Sequence, residues 1–171
     1  MKIINTIIRI DKSIHHYVLQ YQKPWLIHLM NLITFCGSGA FAFLLYVSLF
    51  VFSDDTNLVF SLICADCIGL LIIICLRYLT KRERPLKDIN QRFFDPWNRY
   101  SFPSLHAMRV TMFASLFSMT YPTFSYALIL GAICIALSRL YIQKHYLSDI
   151  TVGALIGLTT SWLSLGINGM G

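Results

Sequence analysis

His145 and Asp149 stand four residues apart, a spacing that sets a carboxylate beside an imidazole on one face of a helix. A carboxylate so placed fixes one ring tautomer and leaves the other nitrogen free to attack an electrophile. A second histidine, His106, follows Pro103-Ser104-Leu105. Imidazole titrates near neutrality, so His106 suits the task of protonating a leaving oxygen. Three arginines, Arg77, Arg84 and Arg139, accompany these groups at or near the ends of apolar segments. Guanidinium groups bind tetrahedral oxyanions through paired planar donors, and three of them can surround one phosphate. Ser104 adds a hydroxyl, and backbone N–H groups at the start of the helix that follows it add further donors. Arg77 and Arg84 are seven apart and share a side if one helix carries both.

The segments that must position these residues are strongly apolar. Of 171 residues, 56% are hydrophobic and only 13% charged, and mean hydropathy is +0.62. A soluble domain carries about 25% charged residues, so this composition specifies an integral membrane protein of one domain, residues 1–171. A spanning helix needs about 20 apolar residues. Five segments qualify: Trp25–Phe52, broken near Gly37-Ser38-Gly39; Leu58–Tyr78; Ser104–Met119; Phe124–Leu140; and Leu147–Leu165. The fold class expected is an all-α polytopic membrane bundle of about five transmembrane helices. Before it, residues 1–22 place Ile3, Ile4, Ile7, Ile8, Ile14, Tyr17 and Val18 at helical spacing, with Lys2, Arg9 and Lys12 on the other side. That pattern predicts an interfacial amphipathic helix, too interrupted by charge to be a signal peptide.

Alternation of five spans puts the N-terminal helix and the loops 81–100 and 138–149 on one membrane face. All the reactive residues gather there. The polar loop 81–100 carries six basic and three acidic residues, and its basic side chains are expected to meet lipid headgroups. The net charge of +6 is likewise read as attraction to anionic lipids and not to nucleic acid. Cys36, Cys64, Cys67, Cys75 and Cys134 fall inside apolar runs and are expected to be packing thiols. Asp66 lies inside the second span, where a charge is costly, and is expected to be a buried hydrogen-bonding residue. Arg109, one turn past His106, either lines the pocket or anchors at the interface. His15, His16 and His28 are expected to be interfacial and uninvolved.

These residues form three motifs: Arg77, six residues, Arg84-Pro85; Pro103-Ser104-Leu105-His106; and Ser138-Arg139, five residues, His145, three residues, Asp149. In order and spacing the chain resembles the type 2 phosphatidic acid phosphatase (lipid phosphate phosphatase) family, which shares its site with vanadium haloperoxidases and bacterial acid phosphatases. The third motif matches at every specified position. The resemblance implies that His145 is the nucleophile, forming a phosphohistidine, that Asp149 orients it, and that His106 serves the leaving group and then water. It assigns Arg77, Arg84, Ser104, the Leu105 N–H and Arg139 to the phosphoryl oxygens, with no metal or other cofactor. Two positions depart from the family pattern: Arg77 replaces the usual lysine, and Leu105 the usual glycine.

The activity implied is hydrolysis of a phosphomonoester or pyrophosphate on a membrane lipid. Candidates are undecaprenyl pyrophosphate, phosphatidylglycerol phosphate, lipid A 1-phosphate and phosphatidic acid. A lipid phosphotransferase using the same phosphohistidine, or a non-catalytic lipid-binding relative, are the alternatives. The resemblance places the protein in the bacterial cytoplasmic membrane with its site on the extracytoplasmic face. The basic residues on that face argue the other way, since positive charge usually marks the cytoplasmic side.

Overall fold

The computed structural model describes residues 2–86 and 100–167. Residues 87–99, most of the polar loop, lie outside the described residues, and the headgroup reading of Lys87, Arg92 and Arg99 lies there with them. Seven α-helices appear among the described residues: α1 Lys2–Gln20, α2 Pro24–Thr34, α3 Gly39–Phe52, α4 Thr56–Thr80, α5 Leu105–Thr120, α6 Ser125–Tyr141 and α7 Leu147–Ile167. All five expected hydrophobic segments are helical within a few residues of the expected ends. The first is α2 and α3, bent by 47° at the Phe35–Gly37 turn. Beyond that break Ser38 caps α3, its Oγ accepting from Phe41 N at 3.1 Å. Asp55 caps α4 in the same way through Leu58 N at 2.9 Å.

Three helices are long and apolar enough to cross a membrane, and the bent pair makes a fourth. At 25 residues and 1.5 Å per residue, α4 is about 37 Å long. The remaining segment, α5, has 16 residues and is enclosed by α4, α6 and α7. Its enclosure explains why its apolar residues show no single face: Ala107, Met108, Val110, Met112, Phe113, Ala114 and Leu116 are all buried. Around it the outer helices turn large apolar side chains outward. Phe50, Phe52, Leu79 and Tyr126 are 79–90% exposed, as a lipid-facing surface requires.

Two cores flank α5. One packs Leu58, Leu62, Ala65 and Ile73 of α4 against Met108, Met112, Phe113 and Leu116. The other packs Ala107, Val110 and Ala114 against Ala132 and Ala136 of α6 and Ile150 of α7. The α5–α7 crossing is the tightest. A Cβ on Gly153 would lie 2.4 Å from Ser104 O, and one on Gly157 would lie 2.3 Å from Met108 O. Both positions of α7 therefore need glycine, the small-residue spacing that lets membrane helices meet closely. Gly153 thereby seats α7 directly on Ser104.

The N-terminal helix α1 is an exposed surface helix, as its periodicity implies. Ile4, Ile7, Ile8, Ile10 and Tyr17 are all exposed. It touches the bundle at the ends of α6 and α7. The five cysteines are free, with Cys67, Cys75 and Cys134 exposed on the outer surface.

Candidate active site

At one end of the bundle four helix ends meet. The last turn of α4 carries Arg77, which is buried and donates from Nη2 to Pro103 O at 3.2 Å. Helix α4 stops at Thr80, because Lys81 adopts a left-handed conformation (φ 46°) and its N–H closes on Arg77 O at 3.0 Å. Arg77 and Arg84 therefore do not share one helix. The chain reverses instead, and Glu83 bridges antiparallel to Tyr100, with Ser101 N donating to Arg82 O at 2.8 Å. That reversal brings Arg84 back toward the site, where its charge reaches Arg77, Arg139 and His145.

Arg139, at the end of α6, is 7% exposed. Its Nη1 donates to Thr34 Oγ1 at 3.1 Å, and its buried Nε has no hydrogen-bond partner among the described residues. An oriented guanidinium with a donor to spare is poised for an anion. After α6 the chain folds back sharply. Lys144 N and His145 N both donate to Arg139 O, at 3.1 and 3.3 Å, with Gln143 at φ 58°. This turn fixes His145 directly beside Arg139.

His145 is 1% exposed. Its Nδ1 lies 2.7 Å from Ser101 O and 3.7 Å from Asp149 Oδ2. The carbonyl of Ser101 is thus a second partner of the ring, closer than the Asp149 carboxylate expected to orient it. A carbonyl accepts only, so Nδ1 carries the proton and Nε2 is the bare nitrogen. Burial pushes the His145 pKa down to about 4, with Arg139 and Arg84 adding to the effect and Asp149 opposing it. His145 is therefore neutral at physiological pH, the state a nucleophile requires.

Asp149 is fully buried. Oδ2 accepts from Tyr146 N at 2.9 Å and Oδ1 from Arg82 Nη1 at 2.7 Å. Its own carbonyl accepts from Ser104 N at 3.0 Å, which ties the second motif to the third. Ser104 is buried and caps α5, its Oγ accepting from Ala107 N at 3.4 Å. His106 sits in the first turn of α5 with its ring against Gly37, where a Cβ would lie 3.0 Å from its Cδ2. Arg139, His145, Arg109 and Arg84 all lie within electrostatic reach of that ring.

Leu105 opens α5 with ordinary helical geometry, since the described non-glycine residues of positive φ are Lys81 and Gln143. No left-handed backbone is needed at this position, so glycine is not required for its φ. The leucine side chain is partly buried against the α4–α5 core. Arg109 is not an anchor at the interface: it lies inside the bundle, with its charge reaching His106. It is 8% exposed and its Nε donates to both oxygens of Asp66, at 2.9 and 3.2 Å. Asp66 also accepts from Tyr46 OH at 3.0 Å, which is the buried bonding role expected of it.

Four residues around the site carry no motif. Thr34 orients Arg139, Gly37 packs on His106, and Arg82 and Asp11 extend the network behind Asp149. Arg82, which was expected to face lipid headgroups, points inward: besides Asp149 it binds Asp11 Oδ2 at 2.7 Å. Asp11 had one legible sign, being the only acidic residue before Asp54.

Membrane-embedded helices whose ends hold arginines and histidines of these motifs define a class, and similarity to known proteins specifies it. Residues 54–170 match the PAP2 superfamily, and the chain belongs to that family. It is 31% identical over 158 residues to a lipid A 1-phosphatase of Rhizobium etli, covering 84% of this chain and 63% of the relative. It is 28% identical over 126 residues to an undecaprenyl-diphosphatase of Sulfolobus acidocaldarius, covering 72% and 61%. The chain thus spans a little over three-fifths of the length of these curated relatives. Among solved structures, LpxE of Aquifex aeolicus superposes with a TM-score of 0.76 at 26% identity, over 90% of this chain and 93% of that one. A PAP2-type phosphatidylglycerolphosphate phosphatase of Bacillus subtilis superposes with a TM-score of 0.79 over 96% and 87%, and at 21% identity supports the fold alone.

Proposed function

We propose that this protein is a lipid phosphatase that removes phosphate from a membrane lipid through a phosphohistidine at His145. The observation that carries the reading is the seat of His145: buried, neutral, its proton held on Nδ1 by Ser101 O at 2.7 Å, within reach of the charges of Arg139 and Arg84. In the first step Nε2 attacks phosphorus, the bond to the leaving oxygen breaks, and His106, which takes up a proton when the phosphate dianion docks beside it, gives that proton to the leaving oxygen. In the second, His106 takes a proton from water, the hydroxide attacks phosphorus, and the P–N bond breaks to release phosphate and neutral His145. Arg77, Arg84 and Arg139, with Ser104 and the Leu105 N–H, balance the equatorial oxygen charge in both steps. On this reading no metal takes part.

The site's surroundings suit a substrate whose tails stay in the bilayer. An apolar groove of about 430 Å³ opens between α3, α5 and α6, lined by Cys36, Phe41, Val110, Phe113, Phe117 and Leu128. Its wall includes Cys36, the sequence neighbour of the Gly37 that packs on His106. The names of the relatives point to lipid A 1-phosphate and undecaprenyl diphosphate, which leads the candidate set. The test is phosphate release by purified protein from four lipids: these two, phosphatidylglycerol phosphate and phosphatidic acid, each with and without EDTA. Release from at least one, unchanged by EDTA, is expected. Inactivity on all four, or loss of activity with EDTA, counts against the reading.

We place the protein in the bacterial cytoplasmic membrane with the site on the extracytoplasmic face. With α1 on the site side and five membrane segments after it, the C-terminus then lies in the cytoplasm. An alkaline phosphatase fused after residue 171 should be inactive and a fluorescent protein there should glow. The opposite pair of results reverses the orientation.

A further inference from the structure

From the ion-pair network behind the site we infer that Asp11, on the surface helix α1, is a positioning residue for catalysis, acting through Arg82 on Asp149. The inference rests on the phosphohistidine reading above.

Asp11 is 2% exposed on a helix whose other residues are mostly exposed. A carboxylate is not removed from water on a surface helix without compensation. Here the compensation is complete. Oδ2 accepts from Arg82 Nη2 at 2.7 Å and from Ser148 Oγ at 2.5 Å, and Oδ1 accepts from Ser148 N at 3.0 Å. The same guanidinium reaches Asp149 Oδ1 through Nη1 at 2.7 Å and Ser148 Oγ at 2.6 Å. It also lies 4.3 Å above the Tyr146 ring. Arg82 is thus a bridge between two buried carboxylates, one on α1 and one in the catalytic motif.

A single guanidinium shared by two carboxylates has a defined position, because each end of its planar fork is occupied. Without Asp11, Nη2 loses its partner and Arg82, 23% exposed on its side chain, is free to swing into water. Asp149 then keeps Tyr146 N but loses the bond that fixes Oδ1. Its other oxygen is the one 3.7 Å from His145 Nδ1. The chain of contacts Asp11–Arg82–Asp149–His145 therefore transmits the docking of α1 to the orientation of the nucleophile. Asp11 touches no reacting atom, so its loss should slow chemistry without weakening substrate binding.

The experiment compares the full-length parent with Asp11→Asn, Arg82→Gln, the double variant, Asp11→Glu and His145→Ala, each purified in detergent. The probe is whichever of the four lipids the parent cleaves fastest. Asp11→Asn is expected to lower kcat about tenfold to hundredfold with KM within about twofold. Asp11→Glu should recover part of that loss, and the double variant should be no slower than Arg82→Gln alone. A kcat for Asp11→Asn within about twofold of the parent overturns the inference. So does a loss confined to KM, or losses that multiply in the double variant, since a simple tether for α1 would act independently of Arg82. If Asp11→Asn does not fold, Arg82→Lys carries the test, because lysine keeps the charge but cannot bridge with a fork: kcat should fall with KM held, and a parental kcat overturns the inference. Activity surviving in His145→Ala, or a parent that cleaves none of the lipids, overturns the phosphohistidine reading instead.

Discussion

Replacing His145 with alanine should lower kcat at least about ten-thousandfold, the loss expected when a covalent nucleophile is removed and only transition-state binding remains. That factor corresponds to about 5.5 kcal/mol of barrier. The fold should survive, because His145 occupies a turn held by Lys144 N and His145 N on Arg139 O, and alanine keeps those backbone bonds. Parent enzyme quenched during turnover of a ³²P-labelled lipid should carry label that acid removes and alkali does not, as a phosphoramidate requires. No label should attach to His145→Ala. Residual activity within a hundredfold of the parent would remove His145 from the role of nucleophile.

The same residue sets the acid limb of the pH profile. Protonation of Nε2 destroys the nucleophile, so kcat/KM falls as pH drops through the His145 pKa. An ordinary histidine would lose half its activity near pH 6.5. Burial, reinforced by Arg139 and Arg84, moves that point down to about 4. Activity should therefore persist well below pH 6 in the free enzyme's kcat/KM. An acid limb centred near 6.5 would mean that the imidazole is solvated, contrary to its 1% exposure.

Which parts of this arrangement could be read from the residues follows from the range of the forces involved. Hydropathy reports the solvent around a segment, so all five apolar helices were legible, down to the break at Gly37-Ser38-Gly39. The motifs named the helix ends expected to carry chemistry, and the structure brings those ends together. Long-range polar pairing leaves no periodic trace. Asp11 is 71 residues from Arg82 and 137 from Ser148, and Thr34 is 105 from Arg139. The pattern of α1 described its exposed apolar residues and was silent about the one carboxylate turned inward. The place of Arg84 was not legible for a different reason: Lys81 is not a residue that favours a left-handed cap, yet it ends α4 in that conformation, so the chain reverses before Arg84. The Gly153–Gly157 spacing, by contrast, was present in the sequence and is the sort of signal that close helix crossings leave. Leu105 shows the limit of reading by family pattern. Its departure from glycine invites a catalytic explanation, whereas the backbone there is ordinary helix and the side chain has a place in the core.

Asp66→Ala should be the most damaging single change outside the site. It would leave the Arg109 guanidinium, 8% exposed, without the carboxylate that both Nε contacts require. Removing one partner of a buried pair costs about 3–5 kcal/mol. That loss should lower the melting temperature in detergent by about 10 °C for a chain of this length. Tyr46→Phe removes one hydrogen bond to Asp66 and leaves the ion pair, so it should cost only about 1 kcal/mol. The decisive comparison is Asp66→Leu combined with Arg109→Met, which removes both charges and keeps the volume. If the penalty is an uncompensated charge, the double variant should melt within a few degrees of the parent while Asp66→Ala does not. Equal instability in the two would mean that packing between α4 and α5 was lost instead. Arg109 is three residues past His106 on α5, so the pair also fixes the rotation of the helix that presents this histidine. A stable double variant with lowered kcat would locate the pair's value in that rotation; one with parental kcat would show that the two glycine contacts with α7 already hold α5 in place.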